Sequence, residues 1–159
     1  MINLREYYAR EIVDNYIKKL DVKKVMIVTD PGVTKSGWAE VVERFVKNTG
    51  KPFITHSNVS PNPKDIEVME GAEIFRHEGC DLVIAVGGGS VMDCAKSIAI
   101  ASANRQGILT FEGVDQVPIP GPPLICIPTT AGTSADISKF AVIRDSSRKL
   151  KITIAGKSL

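Results

Sequence analysis

Apolar residues along the chain follow two spacings: short continuous runs, and stretches with an apolar residue at every third or fourth position. Runs of the first kind suit strands buried on both faces, and those of the second suit amphipathic helices. Val13, Tyr16, Ile17 and Leu20 recur at i, i+3, i+4 and i+7 and predict a first helix. Lys24–Asp30 reads as a buried strand that ends in a turn at Pro31-Gly32. Trp38, Val41, Val42, Phe45 and Val46 make the apolar face of a second helix, stopped by Gly50. Phe53–Val59 is the next strand. Ser60-Pro61-Asn62-Pro63 breaks it and opens a helix through about Glu78, with Val68, Met69, Ala72 and Phe75 inward and Gly79 at its end.

The most uniformly apolar strand, Asp81–Val86, runs straight into Gly87-Gly88-Gly89-Ser90, and the helix after it shows Val91, Cys94, Ala95, Ile98 and Ala99 on one face. Asn104–Pro123 holds four of the nine prolines and reads as a surface loop over the sheet edge. Leu124–Ile127 is another buried strand, ending at Pro128-Thr129-Thr130-Ala131-Gly132-Thr133. Phe140–Ile143 and Lys151–Ile154 flank the charged Arg144–Lys149 and read as a β-hairpin. Strands alternating with helices predict an α/β fold. We expect a Rossmann-like parallel sheet flanked by helices, with a small hairpin near the C-terminus, in one domain over residues 1–159.

A strand that enters three glycines, a serine and a helix is suited to a phosphate. Backbone without Cβ lets an anion approach closely, and the helix start offers free N–H groups and the positive dipole end. Ser90 is a candidate N-cap, and Asp93 is placed to reach back in a capping box. A tight strand-to-helix connection with a good cap is the plainer alternative. The turn is neither GxGxxG nor a Walker A loop, because no lysine follows the glycines directly. Lys96, one turn past Asp93, reads as its ion-pair partner on the helix surface.

Asp30 lies just past the first strand, where open α/β sheets place ligands. A carboxylate there would accept hydrogen bonds from an adenosine ribose and repel a 2′-phosphate; a turn-starting Asp before Pro-Gly is the equal alternative. The hydroxyl-dense loop of Thr129, Thr130, Thr133 and Ser134 suits an uncharged amide or a diphosphate, or else a turn and cap.

Composition narrows the partners. The chain has 159 residues, 43% of them hydrophobic and 24% charged, as in an ordinary folded domain. Its formal net charge of +2 is spread among interspersed acids and bases, which leaves no footprint for nucleic acid or an anionic membrane. No apolar run has membrane-spanning length, and Met1–Arg5 lacks a signal-peptide core, so a soluble, cytoplasmic protein is expected. Cys80, Cys94 and Cys126 are odd in number and widely spaced, which argues against disulfides or a zinc ribbon; Cys94 and Cys126 read as buried free thiols. His56 and His77 read as surface or core histidines rather than metal ligands.

Two segments carry a family likeness: Gly-Cys-Asp-Leu-Val-Ile-Ala-Val-Gly-Gly-Gly-Ser-Val-Met-Asp-Cys-Ala-Lys over 79–96, and Pro-Thr-Thr-Ala-Gly-Thr over 128–133. Together they resemble the iron-containing (group III) alcohol dehydrogenase family, the first being similar to its GGGSxxDxAK signature. The likeness runs from about Lys24 to Ile154. It implies a nicotinamide dinucleotide as ligand, with Asp30 on the ribose and Asn62 in a Pro-Asn-Pro turn near the cofactor. Gly87, Gly88, Gly89 and Ser90 fall on the diphosphate cradle, and Asp93 behind it toward the nicotinamide. Thr129, Thr130 and Thr133 fall on a cofactor loop, Ser138 stands where a threonine is commoner, and Lys151 matches a lysine that reaches the nucleotide.

The resemblance further implies a second, all-helical half. There an aspartate and three histidines hold Fe2+ or Zn2+, which this chain with two histidines would not supply. The expected ligand is NAD rather than NADP, and in the intact enzyme a small alcohol or aldehyde is the substrate. No catalytic or metal residue is expected in this chain. Self-association into a homo-oligomer is left open, as are a standalone nucleotide-binding module and a glycerol dehydrogenase- or dehydroquinate synthase-like enzyme. The family's Gly-Ser-Glu-Val-Thr after the threonine loop is here Ser134-Ala135-Asp136-Ile137-Ser138.

Overall fold

A computed structural model describes the backbone of residues 4–159 and the side chains from residue 9 onward; Met1-Ile2-Asn3, at the start of the segment inspected for a signal peptide, lies outside the described residues. The helices are α1 (Leu4–Lys19), α2 (Pro31–Lys35), α3 (Trp38–Asn48), α4 (Asp65–His77) and α5 (Gly89–Asn104). The strands are β1 (Val25–Val28), β2 (Phe53–His56), β3 (Leu82–Gly87), β4 (Gly113–Val114), β5 (Leu124–Pro128), β6 (Phe140–Asp145) and β7 (Leu150–Ala155).

The apolar runs form one parallel sheet in the order β2-β1-β3-β5. Every residue of β1 and β3 is buried, so both faces of these central strands are covered. Their side chains alternate between two cores, as the two-residue strand period requires. Met26, Val28, Val83 and Ala85 pack with α4, α5 and the hairpin, whereas Val25, Ile27, Leu82 and Ile84 pack under α1 and α3. Each fully buried Val, Ile or Leu contributes about 1.5–3 kcal/mol, which makes this central pair the main source of stability. Register pairs Val28 with Ala85 and Gly87 with Pro128, so β1, β3 and β5 end at one level.

A smaller sheet, ordered β4-β7-β6, lies against α5. Its β6–β7 hairpin is antiparallel, from Phe140↔Ala155 to Asp145↔Leu150, and is longer at both ends than the sequence pattern suggests. The Asp145 side chain closes it by accepting from the Ser147 and Arg148 amides at 2.8 and 2.9 Å. The Arg144 amide donates to the Pro63 carbonyl at 2.8 Å, tying the hairpin to the turn before α4.

Several expectations are corrected. Val13 and Ile17 are buried, but Tyr16 and Leu20 are 51% and 40% exposed, because the contact with α3 covers only a narrow stripe of α1. Pro31-Gly32 begins a short helix instead of a simple turn, since Asp30 caps it. The second strand stops at His56, not Val59. Asn104–Pro123 is not a loop lying outside the fold: it contains a 3-10 turn at Ile108–Phe111 and β4, and it buries Ile108, Phe111 and Val117. Asn104 holds its far end, donating to the Ile119 carbonyl at 2.7 Å and accepting from the Ile119 amide at 3.1 Å. Isolated apolar anchors between prolines carry no periodicity, so the pattern conceals them. Cys80 and Cys94 are buried free thiols, whereas Cys126 is only half-buried. Among the described residues no helix is long and apolar enough to cross a membrane.

Candidate functional site

The chain leaves β1 toward β2 on one side, then crosses through α4 to β3 on the other, so the switch point lies between the C-terminal ends of β1 and β3. Open α/β sheets bind ligands at such a point. Thr29 fastens the two ends: its hydroxyl donates to the Val86 carbonyl at 2.8 Å. The Thr129 amide donates to the Gly87 carbonyl at 2.9 Å and brings the threonine loop beside the glycines.

The start of α5 stands at the centre. Its N-cap is Gly88 rather than the expected Ser90, and no side chain caps it. Ser90 lies within the first turn, and its Oγ accepts from the Asn62 amide at 3.4 Å. Asn62 adopts φ 58°, the left-handed conformation that asparagine tolerates better than most residues, and so the Pro-Asn-Pro turn folds up to Ser90. With no side-chain cap, the first-turn N–H groups and the helix dipole are left for an anion.

Two depressions meet across this helix start. One, of about 660 Å3, is walled by Asp30, Val33, Val59, Pro61, Thr129 and Thr130. The other, of about 480 Å3, is walled by Asp93, Thr133, Ser138, Phe140 and Val142. Gly89 and Ser90 line both. The result is a two-lobed cleft pinched at an uncapped helix N-terminus.

The three glycines do two different jobs. A Cβ on Gly88 would meet Thr130 Oγ1 at 3.1 Å, and one on Gly89 would meet Thr133 Cγ2 at 3.2 Å, so their bareness keeps the threonine loop close to α5. Gly87 is buried at the end of β3 and outside the lining of both lobes; a Cβ there would lie 2.5 Å from Val91 Cγ2. Its bareness serves helix-on-strand packing.

Asp30 caps α2, its Oδ1 accepting from the Val33 amide at 2.9 Å, while the same side chain borders the larger lobe. The turn-starting reading of Asp30 holds, and its carboxylate is also placed at the cleft. Asp93 does not reach back as a capping-box partner; it is half-buried in the smaller lobe. Burial holds its carboxyl above the usual range, against the lowering effects of the Val142 amide and the Lys96 charge. Ser138 lines the same lobe. Lys151 lies outside both linings, exposed on β7 opposite Arg144. Lys96 forms no surface ion pair with Asp93. It is 4% exposed and donates to Ser138 and Phe140.

Sequence reasoning missed Val33, Val59, Phe140 and Val142, the apolar walls of the two lobes. Their signal was weak, since they look like any other residue of a core or strand. Among the described residues no group of three or more His, Cys, Asp or Glu could hold a metal ion. His56 is buried, and desolvation holds it below the usual imidazole range despite Glu70 and Glu67, while His77 is exposed.

Known proteins resemble this chain in sequence and in fold. The family model described as iron-containing alcohol dehydrogenase matches residues 4–159. Alcohol dehydrogenase 4 of Schizosaccharomyces pombe is 40% identical over 141 residues, spanning 89% of this chain and 33% of that protein. NAD-dependent methanol dehydrogenase of Bacillus methanolicus is 35% identical, spanning 92% and 39%. A crystal structure of 1,3-propanediol oxidoreductase superposes with a TM-score of 0.88 at 33% identity, covering 93% of this chain and 39% of that one. The chain thus spans about a third of the length of the curated relatives it matches.

Proposed function

The chain belongs to the iron-containing alcohol dehydrogenase family, and from that premise we propose that residues 1–159 are the NAD(H)-binding domain of a longer, two-domain alcohol dehydrogenase. One observation carries this reading: the cleft has two lobes that share Gly89 and Ser90 at an uncapped helix start. A dinucleotide has the same form, two nucleosides joined by a diphosphate. The first-turn amides of α5 hold the diphosphate, Asp30 accepts from the adenosine ribose, and the nicotinamide half lies toward Asp93, Thr133 and Ser138. Val33, Val59 and Pro61 give the adenine an apolar wall. Lys151 reaches the nucleotide from the exposed face of the hairpin.

When bound, the nicotinamide accepts a hydride from an alcohol or returns one to an aldehyde or ketone. This chain's residues bind and orient it, and they keep a carboxylate at Asp30 where a 2′-phosphate would otherwise fit. That favours NAD over NADP, and the name of the Bacillus methanolicus relative supports the choice. Among the described residues no group of His, Cys, Asp or Glu fits a catalytic metal. In this proposal the iron or zinc belongs to residues outside 1–159, as does most of the alcohol pocket. The intact enzyme is a cytoplasmic protein with no nucleic-acid or membrane partner.

The test is a titration of the 159-residue chain with NADH, followed by fluorescence or calorimetry, with an alcohol-oxidation assay in added Fe2+ or Zn2+. Binding without turnover is expected. Turnover by this chain alone would refute the placement of the metal elsewhere. A folded chain that binds no NADH would refute the claim that this half forms the cofactor site.

A further inference from the structure

Lys96 is a charged side chain only 4% exposed, and it lines neither lobe of the cleft. Its ammonium spends all three protons: on the Ser138 carbonyl at 2.6 Å, the Phe140 carbonyl at 2.9 Å and Ser138 Oγ at 3.3 Å. A buried charge persists only when so fully satisfied. The bonds made by residues 130–138 among themselves are local, such as the Ser138 and Ile137 amides to the Ser134 carbonyl. Among the described hydrogen bonds, those from Lys96 are the ones that tie residues 130–138 to another element. The loop is therefore held at its start by the Thr129 amide on the Gly87 carbonyl, at Ser138 by this cation, and just beyond by the Gly156 amide on the Lys139 carbonyl at 3.1 Å, with Ala135 buried between.

Resting on the proposed cofactor site, we infer that Lys96 is a positioning residue: from inside α5 it holds the threonine loop against the glycine turn, and cofactor affinity depends on it without contact. Losing the ammonium frees the segment that carries Thr130, Thr133 and Ser138 while leaving the sheet intact.

Two independent readouts test this. Amide hydrogen exchange without cofactor should show Ile137 and Ser138 of Lys96→Met exchanging at least about tenfold faster, with β3 amides unchanged. NADH affinity should fall at least about tenfold. Lys96→Arg keeps the charge and donors and should restore much of both, because a cavity of about 380 Å3 beside Ala99, Ile100 and Gly121 has room for the larger head. If Lys96→Met does not fold, Lys96→Gln, which keeps two donors, takes its place in both arms. Wild-type loop exchange and wild-type affinity in the variant would overturn the proposal, as would equal loss of protection in the loop and β3. A wild-type chain that bound no NADH would instead sink the cofactor reading, and the exchange arm would still decide the role of Lys96.

Discussion

Asp30 caps a helix and, in the proposed cofactor site, accepts from the ribose; one substitution separates the two. Its Oδ1 caps α2 through the Val33 amide, and the same carboxylate borders the larger lobe of the cleft. Asn caps a helix about as well as Asp, so Asp30→Asn should change stability by less than about 0.5 kcal/mol. Asp30→Ala loses the cap as well, at about 1 kcal/mol, or roughly 2–4 °C in melting temperature for a domain of this size. Binding responds differently. Replacing a charge-assisted ribose bond by a neutral one costs about 1–1.5 kcal/mol, a five- to tenfold loss of NADH affinity. The 2′-phosphate of NADPH gains instead. Two unit charges about 5 Å apart at an effective dielectric of about 20 repel by about 3 kcal/mol, of which screening leaves enough for about tenfold. The NADH-to-NADPH affinity ratio should thus shift by on the order of a hundredfold. Calorimetric titration of wild type, Asp30→Asn and Asp30→Ala with both cofactors, beside thermal melts, measures every term. A ratio in Asp30→Asn within about twofold of wild type would show that Asp30 is a helix cap and nothing more.

Gly88→Val should abolish NADH binding, because its side chain starts 3.1 Å from Thr130 Oγ1 and fills the narrow part of the cleft; circular dichroism should show the fold retained. Gly71→Ala should destabilise the chain by about 1–3 kcal/mol in urea, since a Cβ there would lie 2.5 Å from Ile98 Cδ1 between α4 and α5. Asp145 gives a pH signature: the Arg148 amide and side chain, and the Ser147 hydroxyl and amide, hold its carboxyl far below its ordinary value of 3.8. A depressed carboxylate contributes stability that is complete above its unfolded value and lost as pH falls through its folded one. The melting-temperature gap between wild type and Asp145→Asn should therefore be flat above about pH 5 and narrow steadily in acid. A gap independent of pH would show that the charge is irrelevant.

Strand and helix identity was legible in the sequence because burial on two faces, or on one, writes a local period into the chain. Val25–Val28 and Leu82–Gly87 are covered on both sides and read as continuous apolar runs. The glycine turn was legible for the same reason, since a strand, bare backbone and a helix follow one another without a break. What failed were features whose partners lie far away in sequence. Lys96 looked like half of an i, i+3 ion pair, yet its acceptors are 42 and 44 residues on. Ser90 looked like a cap, but the helix begins two residues earlier, with Gly88 as its cap, and the Ser90 hydroxyl meets the Asn62 turn from 28 residues before. Gly87 read as part of the cradle, and only packing shows that its missing Cβ makes room for Val91. Local sequence determined that this is an α/β domain with a glycine-rich helix start. The tertiary structure decided which groups surround that start. A hydrogen bond between distant segments leaves no period in either one, and its existence depends on the sheet order that brings them together.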